Sequence, residues 1–294
     1  MNTRNLTNLG LLIFVVIAAS LIIFDDKDKN EKQPITSLQQ SDIVNITVKR
    51  PDKKEIYLEK KHNIWHLKKP YNTATNQFRM DTLLRLIETI PQSTYPLKNA
   101  EKYGLSTEKL EVIFNRGEKN TVSIRFGDSD PLKMRRYIAV DNKLHLTNDT
   151  YFYALNSIAT DYISNKLLPD DFKIVQLDLP NLKLKIENKN WKISPTSTDF
   201  TEENVNELIT EWESLKTTAI KATNKKINFS QKNIIKLYGR NATTLTFYIL
   251  RNDKEFILID KLKGLKYSLP KEMEEKLLNL PATPTNEEID KTAQ

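Results

Sequence analysis

The side chains that could do chemistry in this chain are few and scattered. Its three histidines are His62, His66 and His145. His62 and His66 stand four apart, a spacing that on a helix would turn two imidazoles toward one zinc ion. The residues around Trp65 alternate as a strand instead, and four strand residues span about 13 Å. No third ligand accompanies them, and His145 stands alone in a strand-like run. The chain has no cysteine, which excludes disulfides, thiolate nucleophiles, cysteine acylation and cysteine-based metal sites. Its six glycines are dispersed, so no phosphate-cradling loop forms, and no Gly-x-Ser-x-Gly elbow exists. Carboxylates are abundant, but no spacing selects an acid–base pair. The acidic run 126–131 lacks the ligand spacing of a calcium loop and reads as a turn. The sequence therefore predicts no catalytic residue, no metal site and no cofactor.

Charge is more informative. The net charge is +7. Residues 43–70 carry eight lysines and arginines against three carboxylates, so most of the excess lies there. Two readings stand. Lysines on edge strands discourage edge-to-edge pairing, and a basic patch attracts an anionic membrane surface or an acidic partner. Arg135-Arg136 adds two guanidinium forks suited to carboxylate or phosphate. The candidate interaction surface is Lys49, Arg50, Lys53, Lys54, Lys60, Lys61, Arg135 and Arg136. A protein partner set in a membrane fits this surface. Nothing points to nucleic acid.

These residues must be positioned by a duplicated framework. Trp65 and Trp191 each close a short alternating stretch, and each is followed by a proline and an amphipathic helix. Met80, Leu83, Leu84, Ile87 and Ile90 match Val205, Leu208, Ile209, Trp212 and Leu215. Val205 follows Met80 by 125 residues and Trp191 follows Trp65 by 126. A period that long means two duplicated domains rather than a solenoid, whose repeats run at roughly 20 to 50 residues. A chain of 294 residues agrees with two domains. Each copy reads as seven apolar β segments and two helices. Asn76 caps the first helix, Asp199 with Glu202 has capping-box spacing before the second copy's helix, and Pro270 opens the last helix. Strands before and after a packed helix predict an α+β sandwich. Trp65 and Trp191 read as core residues covering the seam between sheet and helix.

Leu9 to Phe24 is uncharged and mostly apolar, and Leu6 extends the run to 19 residues. Nineteen helical residues span about 28 Å, close to one hydrocarbon core. The apolar run continues past the small residues Ala18-Ala19-Ser20, which argues against a cleaved signal peptide. The expectation is one uncleaved transmembrane helix with the N-terminus inside. Residues 1–24 are then the anchor, 25–42 a polar linker, 43–168 and 169–281 the two α+β repeats, and 282–294 a disordered tail.

The chain resembles the domain-of-unknown-function 4340 family. The resemblance rests on the apolar N-terminal run, on Ile64-Trp65-His66-Leu67-Lys68-Lys69-Pro70, and on Leu83-Leu84-x-x-Ile87. It continues through Tyr103-Gly104-Leu105, Phe126-Gly127 and Arg136-Tyr137-Ile138-Ala139-Val140. The second copy is a more diverged echo, without a counterpart of Tyr103-Gly104-Leu105 near 227–229. The resemblance implies a single-pass bacterial inner-membrane protein with its bulk in the periplasm, with some members encoded near gliding-type ABC transporters. It implies no catalytic residues. The functional expectation is a membrane-anchored, non-enzymatic interaction or accessory subunit of an envelope complex such as a transporter. The alternative is a binding module holding a glycan, lipid head group or peptide in a cleft between the repeats. A hydrolase with a carboxylate pair is a third reading, supported only by carboxylate abundance.

Overall fold

The computed structural model describes residues 12–13, 15–16, 33–107, 109–131, 134–196, 200–223 and 233–281. In the first copy the strands run β1 (Asn45–Lys49), β2 (Ile56–Lys61), β3 (Ile64–Lys69) and β4 (Thr73–Ala74). Helix α1 (Gln77–Leu86) follows, then β5 (Ser93–Pro96), β6 (Leu110–Phe114), β7 (Val122–Ser129), β8 (Arg135–Val140), β9 (Lys143–Asn148) and the short helix α2 (Thr150–Leu155). The second copy supplies β10 (Ile174–Asp178), β11 (Lys183–Glu187), β12 (Asn190–Ser194), helix α3 (Glu202–Ser214), β13 (Ala219–Ala222), β14 (Ile234–Gly239), β15 (Thr244–Arg251), β16 (Glu255–Asp260), β17 (Leu265–Pro270) and α4 (Met273–Leu278).

The strand orders show the duplication directly. The first sheet runs β4-β3-β2-β1-β6-β7-β8-β9-β5 and the second β12-β11-β10-β14-β15-β16-β17-β13. Removing β4 makes the two orders the same. Every described pairing is antiparallel; the neighbours β1–β2 and β10–β11 illustrate it. The turns repeat too. His62 and Asn63 have positive φ between β2 and β3, as do Asn188 and Lys189 between β11 and β12. Two left-handed residues are what a tight two-residue hairpin needs. Both hairpins end on cis-prolines, Pro70 and Pro195.

The fold class departs from the α+β sandwich predicted above. Two antiparallel sheets dominate the molecule, and the helices are few and short. The amphipathic periodicities are present in α1 and α3, but they cover little chain. The sheets also recruit β4, β5 and β13, segments of two to four residues too short to show a strand alternation. Neighbouring strands, not local pattern, make them extended.

The predicted transmembrane helix is also corrected. Among the described residues no helix is long and apolar enough to cross a membrane. Of the apolar run, Leu12, Ile13, Val15 and Val16 are described, as exposed helical residues. The remainder of 1–24 lies outside the described residues, as do most of the linker 25–42 and the tail 282–294. The longest described helix, α3, has 13 residues, or about 20 Å of length against a hydrocarbon core of roughly 30 Å. This finding stands against the expected single-pass inner-membrane location with a periplasmic bulk.

The cores of the two copies form one continuous cluster. Met80, Leu83 and Leu86 of α1 are buried in it, as are Val205, Leu208, Ile209 and Trp212 of α3. Each fully buried leucine contributes about 1.5–3 kcal/mol over an exposed one. Asn76 caps α1 through the Arg79 amide at 3.3 Å. The α3 capping box is Thr201 with Asn204 rather than Asp199 with Glu202; Asp199 lies outside the described residues. Trp65 and Trp191 are half-buried and packed against the core edge, not inside it. The fully buried tryptophan is Trp212, whose indole N–H donates to the Leu277 carbonyl at 2.9 Å and ties α3 to α4. The copies are stitched by the segment after the 3-10 turn Ala159–Tyr162. On one side the Asn76 amide donates to the Tyr162 carbonyl and the Ser164 amide to Ala74. On the other the Leu167 amide donates to Leu215 and the Thr217 amide to Asn165.

Candidate interaction site

The predicted basic surface divides into cations used inside the fold and cations left facing solvent. Lys49 pairs with Glu111 at 3.0 Å across β1 and β6. Burial alone would raise the Glu111 carboxyl, but hydrogen bonds from Ser123 and Lys49 outweigh it and hold that carboxyl below its ordinary range. Arg50 is buried and donates to the carbonyls of Ser157 and Lys54. Its burial lowers the guanidinium pKa. Lys53 reaches the Asn156 carbonyl at 3.0 Å and its side-chain oxygen at 3.2 Å. Lys60 lies over the Trp65 ring, 6.0 Å from its centroid. Lys54 and Lys61 are exposed.

Arg50 and Lys53 thus serve a structural purpose. They meet Arg79, which donates to Ala154, and Tyr162, whose hydroxyl donates to Leu155 at 2.8 Å. Four consecutive carbonyls at the end of α2 are satisfied from three separate elements. Cations there also oppose the negative end of the helix dipole. Burial pushes the Tyr162 hydroxyl up to about 12, so it stays a donor.

The Arg135-Arg136 pair is likewise turned inward, which corrects its place on the predicted surface. Arg135 pairs with the buried Asp130. Arg136 has a side chain only 7% exposed and pairs with Asp149, itself 7% exposed, at the residue before α2. It also donates to the Gly127 carbonyl and to Ser129, and its guanidinium carbon lies 3.7 Å from the Phe152 ring centroid. Such a pair, dry and fully hydrogen-bonded, fixes where α2 sits on the sheet.

The residues that carry the family resemblance converge above this node. Leu105, Ala139 and Leu144 form a second small core on the opposite face of the first sheet, flanked by Tyr103 and Tyr137. The Tyr103 and Tyr137 rings are 4.8 Å apart. Gly104 has φ +65, a left-handed conformation that glycine adopts without penalty. A Cβ on Gly127 would collide with the Tyr103 carbonyl and come within 3.0 Å of Leu105. Tyr103-Gly104-Leu105, Phe126-Gly127 and Arg136–Val140 are therefore one interlock. The equivalent loop of the second copy includes 224–232, outside the described residues.

Two grooves lie between paired helices. In the first copy Phe78, Thr82, Arg85, Thr150, Tyr151 and Ala154 line a groove of about 260 Å³ between α1 and α2. Phe78 is 62% exposed. Arg85 donates from Nε to the Asp81 carbonyl at 3.2 Å and has no carboxylate partner among the described residues. In the second copy a groove of about 510 Å³ lies between α3 and α4, lined by Glu207, Glu211, Glu272 and Glu275 among others. Glu207 occupies the helix position equivalent to Thr82. No spacing signal marked Phe78 or Arg85; only the packing of α2 against α1 reveals them.

Among the described residues no three His, Asp or Glu side chains gather to hold a metal. His62 is exposed in its turn and His66 is half-buried on β3. His145 is buried, its Nδ1 lies 3.0 Å from the Thr94 hydroxyl, and its Nε2 has no hydrogen-bond partner among the described residues.

No curated protein matches the chain. No solved structure matches it either. One family model does, over residues 65–252, which is more than half of the sequence and spans both copies. The chain belongs to the family described as Domain of unknown function (DUF4340).

Proposed function

We propose that this protein is a non-enzymatic interaction or accessory subunit that docks a partner protein on the groove between α1 and α2. The observation that carries this reading is the groove's chemistry. An exposed phenylalanine, a half-buried tyrosine and Arg85, which has no carboxylate partner among the described residues, line the same groove. Aromatic residues and arginine dominate the energetics of protein interfaces, and they do so where they line a concave surface. The fitting occupant is a partner segment that places an apolar side chain between Phe78 and Tyr151 and a carboxylate on Arg85. The alternative of a ligand held between the copies has less support, because residues 162–167 are hydrogen-bonded to both copies along the seam.

The reading is tested by photo-crosslinking from position 78 in cells that make the protein. One reproducible adduct, missing when the crosslinker sits at the exposed Lys119, supports docking at the groove. No adduct from position 78, or the same adducts from both positions, overturns it.

A further inference from the structure

One buried titratable side chain has no task in the sites above. His145 is 4% exposed. It lies on the core-facing side of β9, opposite the core residue Ile138 of β8 and opposite Thr94 of β5. Its Nδ1 meets the Thr94 hydroxyl at 3.0 Å, and its buried Nε2 has no hydrogen-bond partner among the described residues. The cover on the β5 side is thin. β5 is the last strand of its sheet, and its Thr94, Tyr95 and Pro96 are exposed. Pro96 has no amide to give to the ladder. Packing does not require an imidazole here. The second copy holds the equivalent pair as Ile220 of β13 and Tyr267 of β17, opposite Leu258 of β16. Ile220 packs on the core, and Tyr267 stands edge-on to Phe247 with ring centroids 6.1 Å apart. Where the second copy has an aliphatic–aromatic contact, the first has a hydroxyl and an imidazole that takes up a proton.

We propose that β5 is an acid-released edge strand: protonation of His145 detaches it from β9 while the rest of the sheet stays paired. A proton on His145 places a charge in the dry margin of the core, and no carboxylate meets either ring nitrogen among the described residues. β5 carries no acidic side chain. On β8 the nearest charge on the same face is Arg136, a cation already paired with Asp149. At the end of α1, Arg85 and Glu88 are exposed, and Glu88 accepts from Gln40 at 2.8 Å. Lys143 on the same strand opposes the proton, and Asp141 in the β8–β9 turn favours it more weakly. Detaching β5 lets water reach the imidazolium, which removes the cost of burying it. α1 holds the chain before this strand, and Leu97, packed beside Tyr103 and Leu105, holds it after. The opening therefore spans 92–96. With β5 released, His145 titrates near its ordinary 6.5, whereas burial lowers the value in the closed strand. Each pH unit below 6.5 thus raises the released population by up to about tenfold, until the closed-strand value is reached. The inference is independent of the α1–α2 groove.

The test is native-state hydrogen exchange on the full chain at pH 6.5 and about one unit lower, read as protection factors. In the wild type, protection falls by up to about tenfold at the β5 amides and at the Gln92 amide, which donates to Leu146 at 2.8 Å. That exchange does not respond to sub-denaturing urea, the mark of an opening that exposes little surface, whereas the amides of β6 and β7 do respond. His145→Gln keeps the same β5 protection at both pH values. So does Thr94→Ile/His145→Tyr, which installs the second copy's pair and keeps the site packed. Unchanged β5 protection in the wild type, or the same fall in either folded variant, overturns the proposal. So does a urea dependence at β5 equal to that of β6 and β7, since β5 then leaves only when the whole protein unfolds.

Discussion

Gly127 lies so close beneath the carbonyl oxygen of Tyr103 that no side chain fits between them. The contact joins β7 to the loop that crosses the outer face of the first sheet. Because the obstructing atom belongs to the backbone, it cannot swing aside. Gly127→Ala should therefore destabilise the protein by about 2 kcal/mol, within the usual range for overpacking a tight contact. A urea denaturation series measures it through the midpoint. A variant as stable as wild type would show that the loop does not rest on β7.

The pair formed by Arg136 and Asp149 should behave as a buried unit. Removing one partner leaves the other charged and dry, so Arg136→Met should cost roughly 3 kcal/mol or more. Adding Asp149→Leu to that variant should recover part of the loss, because the double replacement removes both charges. Denaturant midpoints of the two single variants and the double variant give the coupling. Additive losses would mean that the two residues act separately.

Burial lowers the pKa of His145 from its ordinary 6.5, and Lys143 adds to the effect while Asp141 opposes it. The folded state thus takes up its proton at a lower pH than the unfolded chain. Stability from this residue is complete above pH 6.5 and is lost as the pH falls toward the depressed folded value. The sign follows because the unfolded state binds more protons in that window. His145→Gln should flatten the fall in melting temperature as the pH drops below 6.5. An unchanged slope would assign the pH response to other groups.

The duplication was legible in the sequence because buried helix faces repeat at fixed spacing. Met80 and Leu83 match Val205 and Leu208, and the structure buries all four. The balance of sheet and helix was not legible. Ser93–Pro96 contains a proline and no alternation, yet it pairs with β9 from Ser93 to Pro96. Tertiary partners, not its own residues, make it a strand. The burial of Arg50 and Arg136 leaves no mark in the sequence for a related reason. Composition counts a charge but says nothing of the carbonyls and carboxylates that fold onto it. Tyr103-Gly104-Leu105 and Phe126-Gly127 were visible as separate motifs, while their mutual contact depends on a loop crossing the sheet. The groove left no local trace, since Phe78 and Tyr151 are 73 residues apart in the chain.

The central claim is that the α1–α2 groove docks a partner protein. It is tested most directly by purifying the tagged full chain and the variants Phe78→Ala and Arg85→Glu from cells, after mild crosslinking, and quantifying the co-purified protein. Phe78 is largely exposed and Arg85 is exposed, so both variants should keep the wild-type melting temperature. The account predicts that a protein retained reproducibly by the wild type falls about tenfold or more in each variant, as expected for a central interface residue. Undiminished retention of that protein by both folded variants would contradict it.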